Sequence, residues 1–248
     1  MAVLITRPDE RGKQLTDWLN QSGIVALHLP LFCIESGREL GNLPSALNQL
    51  KNQDYVFLVS QNAVDFCHKT LADIGFCWPE SLHYFTVGHR TAQYFSSQSE
   101  RPIHYPITTE NSEGVLALPN MQNLQDKRIL ILRGNGGRDF FAEQARIRGA
   151  EVILLETYQR VPIIYNNEEQ TSICKRSGIN TIIATNLEIV NALVNFVPKQ
   201  DQGWLKSCRL ITVSQRIADV AHKLGWHNIT VSPKADNQSL LNTLLETN

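Results

Sequence analysis

The second half of this 248-residue chain repeats the pattern of its first half at a nearly constant offset of 126 residues. VLITRP at 3–8 lines up with ILILRG at 129–134, which pairs Arg7 with Arg133, and Gly23 falls on Gly149. DYVFLVSQNAV at 54–64 falls on NTIIATNLEIV at 180–190. FTVGHRTA at 85–92 falls on ITVSQRIA at 211–218, so Thr86, Val87, Arg90 and Ala92 meet Thr212, Val213, Arg216 and Ala218. The offset then slips by one, with Pro106 on Pro233 and Ser112 on Ser239. Four blocks in one order at one offset are the mark of an internal duplication, and a duplication restricts the chain to two copies of one architecture.

Each copy reads as strand, loop and helix in alternation. Residues 3–6 form a short apolar run closed by Arg7-Pro8, as a buried parallel strand does. A helix is expected over 10–21, with Leu15, Trp18 and Leu19 at helical spacing and Gly23 just past its end. Strands are expected at 25–31, 55–59 and 83–87, the last two followed by helices at 61–74 and 89–97. The second half repeats them near 129–132, 151–156, 181–184 and 209–213. Such alternation predicts parallel sheets covered on both faces. Ligands of open parallel sheets bind beyond the carboxyl ends of the strands. Two equal domains then imply a cleft lined by Arg7, Ser60, Gly88 and Thr91 from one half and Arg133, Gly134, Asn186, Ser214 and Arg216 from the other.

Charge narrows the ligand. With 23 basic and 24 acidic side chains the net charge is −1, which argues against a general nucleic-acid or anionic-membrane binder. Any anion must be held by local donors. No run approaches the ~18 apolar residues a membrane span needs. Cys33, Cys67, Cys77, Cys174 and Cys208 are scattered and odd in number, which reads as reduced thiols in the cytoplasm. The N-terminal apolar run is short and ends in charges, unlike an export signal.

The loop RGNGGR at 133–138 follows a strand and is expected to open a helix, where free N–H groups and glycine would make an anion cradle. A plain tight turn is the alternative. A dinucleotide site needs glycine at position 139, which is Asp139, and the P-loop lysine is absent. Ser60, ahead of Gln61 and Asn62, reads as a helix N-cap that can also face a ligand. Gly88-His89-Arg90-Thr91 opens another helix. Tyr158, in LETYQRVP, lies just past a strand; a tyrosine there is more often packed than catalytic, and a phenol with its reference pKa of about 10 can only donate or share a proton at neutral pH. The seven histidines show no metal spacing, and there is no Gly-x-Ser-x-Gly elbow and no carboxylate dyad.

Taken in order, VLITRP, FLVSQNAV, TVGHRTAQYF, NSEGVLAL, ILILRGNGGRDFF, RGAEVILLETYQRV and ITVSQRIADVAHKLG resemble the uroporphyrinogen-III synthase family from residue 3 to about 245. The resemblance implies two similar parallel-sheet, three-layer (flavodoxin-like) α/β lobes joined by a two-stranded linker. It places 1–33 and 164–248 in lobe one and 37–157 in lobe two, with linkers near 29–36 and 156–162. The implied reaction closes linear hydroxymethylbilane to uroporphyrinogen III with loss of water and inversion of ring D, through an azafulvene cation and a spiro intermediate. The substrate supplies its own electrophile and nucleophile, so no cofactor and no metal are expected. Tyr158 matches the family's functional tyrosine, assigned to departure of the hydroxyl. The expected substrate contacts are Arg7, Ser60, Asn62, Gly88, Arg90, Thr91, Ser112, Arg133, Gly134, Asn135, Gly136, Thr185, Asn186, Ser214 and Arg216. The repeat equivalent of Thr91 is Ile217, where only the backbone N–H remains to donate. The only partners expected are the tetrapyrrole substrate and a transient contact with the upstream bilane-forming enzyme; a cytoplasmic monomer is anticipated. The competing reading is a non-catalytic bilobal module that closes on a small anion.

Overall fold

The computed structural model describes residues 1–8 and 10–246; Asp9, Thr247 and Asn248 lie outside the described residues. Along the chain run β1 (Ala2–Ile5), α1 (Glu10–Gln21), β2 (Val25–His28), β3 (Phe32–Ser36), α2 (Leu43–Asn48), β4 (Tyr55–Leu58), α3 (Gln61–Asp73), β5 (His83–Thr86), α4 (His89–Ser99), β6 (Ile103–His104) and α5 (Ser112–Leu116). Then follow β7 (Arg128–Gly134), α6 (Phe140–Ile147), β8 (Glu151–Pro162), α7 (Asn167–Arg176), β9 (Thr181–Ile183), α8 (Leu187–Phe196), α9 (Gln202–Ser207), β10 (Arg209–Thr212), α10 (Gln215–Lys223), β11 (Ile229–Val231) and α11 (Asn237–Leu245). The chain divides into two compact units, Met1–Cys33 with Val161–Asn248, and Ile34–Arg160.

The first unit holds a five-stranded sheet of order β11-β10-β9-β1-β2. Its core follows from strand alternation. Ala2 and Leu4 face one apolar layer with Ile182, Leu210 and Trp226. Val3 and Ile5 face the opposite layer with Leu15, Leu19, Leu240 and Leu244. The sheet is therefore buried on both sides, as the apolar run at 3–5 requires. β2 stops at His28 rather than reaching residue 31, because Pro30 has no N–H to continue a ladder.

The second unit holds a six-stranded sheet of order β3-β8-β7-β4-β5-β6. Alternation again splits the side chains. Val56, Leu58, Leu130 and Leu132 pack with Cys67, Leu71 and Phe95, while Tyr55, Phe57, Ile129 and Ile131 pack with Phe141, Ala145 and Met121. β8 runs well past residue 156, to Pro162, so Tyr158 belongs to a strand and not to the loop after one.

The strands matched by the 126-residue offset occupy the same places in the two orders: β2, β1, β9, β10 and β11 against β8, β7, β4, β5 and β6. Their registers coincide residue for residue. Val3 opposite Thr181 becomes, at the offset, Ile129 opposite Tyr55. Ala2 opposite Val25 becomes Arg128 opposite Glu151. Leu210 opposite Ile229 matches Tyr84 opposite Ile103, so the one-residue slip lies beyond the last paired strand.

Candidate active site at the strand ends of the second unit

A cavity of about 250 Å³ opens beyond the carboxyl ends of β4, β5, β7 and β8. Val59 and Ser60 enter it after β4, Val87 after β5, Arg133 at the end of β7, and Tyr158 and Arg160 from β8. Ser112, at the first turn of α5, and Phe141 and Ala142 of α6 complete the wall with residues 136–138. This is the position at which open parallel sheets take ligands.

Tyr158 is 3% exposed and packs in the same apolar cluster as Leu132 and Leu155. Its placement depends on Gly134, which stands opposite it across a register irregularity between β7 and β8. A Cβ at position 134 would lie 2.7 Å from Cε2 and 2.8 Å from Cζ of the ring, closer than carbon atoms can approach. The Tyr158 hydroxyl meets Ser60 Oγ at 3.1 Å. Ser60 is the N-cap of α3 and its Oγ accepts from the Ala63 N–H at 3.4 Å. The Arg160 guanidinium sits 5.8 Å from the centroid of the Tyr158 ring, within range of a cation–π contact.

Two arginines of the cavity wall, Arg138 and Arg133, carry internal carboxylate partners. Arg138 holds Glu113 in a fork, at 2.9 and 3.0 Å, and this pairing draws the Glu113 carboxyl below its usual range. Arg133 pairs with Asp139, whose carboxyl is lowered by the same contact, and also donates to the carbonyls of Gly136 and Gly137. Gly137 has φ +112, a backbone that only glycine adopts without strain. These bonds change the reading of RGNGGR. The loop leads into α6, which begins at Phe140, and Asp139 at its N-cap position makes no side-chain cap but pairs with Arg133. Asn135 is likewise committed, with Oδ1 accepting from Arg160 N–H and Nδ2 donating to Arg160 O.

Of the expected site residues, Ser60, Ser112, Arg133, Gly136 and Tyr158 thus share one cavity, and Gly134 lies against the Tyr158 ring. Asn62, Gly88, Arg90 and Thr91 lie on α3 and at the start of α4, outside that lining, and Thr91 is buried. A Cβ at Gly88 would meet the Glu110 carboxylate, so that helix entrance faces an acid of the chain itself.

Arg7, Thr185, Asn186, Ser214 and Arg216 belong to the first unit. Arg7, 4% exposed, is no open anion donor: its Nη1 donates to Ala235 O at 2.8 Å and Asn237 Oδ1 at 2.9 Å. Asn186 caps α8 by accepting from Ile189 N–H at 2.8 Å. The backbone N–H of Ile217, expected to stay available, is taken by Ser214, which caps α10.

Sequence reasoning missed Arg138 and Arg160. The signal for Arg160 was present: two residues after Tyr158 on one strand, it points to the same face. Among the described residues no group of three or more His, Cys, Asp or Glu is placed to hold a metal ion, and no helix is long and apolar enough to cross a membrane.

Fold and site together define an α/β protein of the class that works at the carboxyl ends of parallel strands. A family model described as uroporphyrinogen-III synthase HemD matches residues 13–242. The uroporphyrinogen-III synthase of Salmonella typhimurium is 41% identical over 245 residues, covering 98% of this chain and 100% of its own. That of Escherichia coli is 38% identical over 245 residues with the same coverage. A solved structure of a mutant uroporphyrinogen III synthase from Thermus thermophilus shares the fold, with a TM-score of 0.69 at 15% identity over 99% of both chains. The chain belongs to the uroporphyrinogen-III synthase family, cyclising lyases of tetrapyrrole and haem biosynthesis.

Proposed function

We propose that this chain closes linear hydroxymethylbilane to uroporphyrinogen III, using the second-unit cavity to hold the reacting end. The observation that carries the reading is the Tyr158 hydroxyl set against Ser60 at 3.1 Å within a strand-end cavity. The C–O bond of the terminal hydroxymethyl group breaks, and the hydroxyl leaves as water with a proton donated or shared by Tyr158. The azafulvene cation left behind is attacked by the substituted carbon of ring D. The spiro intermediate fragments and recloses with ring D inverted, and a proton is lost to restore the pyrrole.

The bilane provides both reacting carbons, so the protein's task is to hold one folded conformation and exclude simple head-to-tail closure. Orientation of this kind contributes up to ~7–11 kcal/mol. Substrate carboxylates would exchange onto Arg138 in place of Glu113, an exposed pairing that costs little to open, and onto the less exposed Arg133 in place of Asp139. Arg160, beside the Tyr158 ring, is a third cation at this wall.

The test is Tyr158→Phe, fed with hydroxymethylbilane and scored by rate and by the ratio of type III to type I porphyrin. Loss of one general acid is expected to slow the reaction ~10²–10⁴-fold and shift product toward type I. An unchanged rate and isomer ratio would remove Tyr158 from the mechanism.

A further inference from the structure

Resting on that reading of Tyr158, we infer that Ser60 is a positioning residue that sets the direction of the Tyr158 hydroxyl proton, so that the phenol O–H points to substrate. A serine hydroxyl has one proton and two lone pairs. At Ser60 one lone pair is occupied by the Ala63 N–H at the start of α3. The first turn of a helix carries positive potential, and a hydroxyl that accepts from it becomes a stronger donor and a weaker acceptor. The favoured polarity is therefore Ala63 N–H to Ser60 Oγ, and Ser60 O–H to Tyr158 Oη. Ser60 is the hydrogen-bond partner of the Tyr158 hydroxyl among the described residues. With the phenol oxygen accepting from Ser60, its own proton is left for the cavity that both residues line.

The repeat supplies an internal control. The residue 126 positions from Ser60 is Asn186, and the one 126 positions before Tyr158 is Phe32. Asn186 also caps its helix, at 2.8 Å against 3.4 Å for Ser60. Capping alone is thus met by asparagine where the matched aromatic has no hydroxyl, and the serine stands where the aromatic is a tyrosine.

The experiment is a substitution series at Ser60, alone and combined with Tyr158→Phe, read as kcat and KM with thermal unfolding alongside. Ser60→Asp keeps the cap, but an ionised carboxylate only accepts, which would turn the phenol proton away from substrate. Its kcat is expected to fall about tenfold or more, the scale of one hydrogen bond, at unchanged unfolding temperature. Ser60→Ala is expected to lose kcat together with some stability, and Ser60→Thr to recover most of that kcat. With Tyr158→Phe in place, Ser60→Ala should cost no further rate. If Ser60→Ala slows the Tyr158→Phe enzyme by the same factor as the parent, or if Ser60→Asp keeps full kcat, the inference is overturned while Tyr158 keeps its role. If Tyr158→Phe is itself fully active, both readings fall.

Discussion

The Tyr158 site rests on one missing methyl group. Gly134 leaves room for a phenol ring that would otherwise meet a Cβ at 2.7–2.8 Å, and the ring in turn brings its hydroxyl to Ser60. Gly134→Ala must push the ring or bend β7. Overpacking of this sort costs ~1–3 kcal/mol, and because the ring itself is displaced, kcat should fall well beyond what a small loss of stability explains. Urea unfolding and initial rates on one preparation test this; full activity in a destabilised variant would show that Tyr158 tolerates movement. The residue scale also shows what sequence could and could not reveal. Arg7 and Arg133 are equivalent in the repeat and look like twin anion donors. One is sealed against Ala235 and Asn237, some 230 residues away, and the other is tied to Asp139 close by. Sequence spacing marks an arginine at a strand end but carries no record of which distant carbonyl will claim it.

Strands and helices were more legible than side-chain partners, because alternation and helical spacing are local. The apolar runs at 3–5, 55–58 and 129–132 became central strands with both faces buried. The segment between β7 and α6 was not legible, since it is organised by ion pairs. Arg133–Asp139 folds residues 135–139 back on β7, and Arg138–Glu113 ties them to α5. Both carboxyls titrate below their ordinary values of 4.5 and 3.8 because the arginine contacts favour the ionised form. A depressed value means that the tether holds above the ordinary carboxylate range and is lost as pH falls through the lowered one. Backbone NMR order parameters for 135–139 should therefore stay flat as pH falls through the ordinary carboxylate range and drop only in more acid solution, with Glu113→Gln lowering them at neutral pH. Salt should act in the same direction, since exposed pairs are screened. Order parameters unchanged by Glu113→Gln and by high salt at neutral pH would mean that the loop is held by its backbone and not by these pairs.

At the scale of the whole molecule, the 126-residue offset preserves strand order and every register compared above. It does not preserve the strand number, since β3 adds a sixth strand to the second sheet, nor how each sheet is assembled from the chain. β4, β5, β6, β7 and all of β8 but its last two residues lie in one continuous stretch, Ile34–Arg160, whereas the first unit joins Met1–Cys33 to Val161–Asn248. The division is thus invisible to a midpoint split and depends on where the chain crosses, along β3 and β8. It has a consequence for folding. In the first unit β1 lies between β9 and β2, and it gives both faces of the core their central residues, Leu4 on one side and Val3 and Ile5 on the other. A fragment of residues 161–248 would keep only β11-β10-β9, with the β9 edge and both apolar layers open. A fragment of 34–160 keeps β4, β5, β6 and β7 whole, trims only the outer ends of β3 and β8, and retains both of its layers. The expected outcome is a cooperative unfolding transition for 34–160 alone, no such transition for 161–248, and recovery of one when a 1–33 peptide is added to 161–248, all followed by circular dichroism. Cooperative folding of 161–248 by itself would show that β1 completes that sheet without being needed to form it.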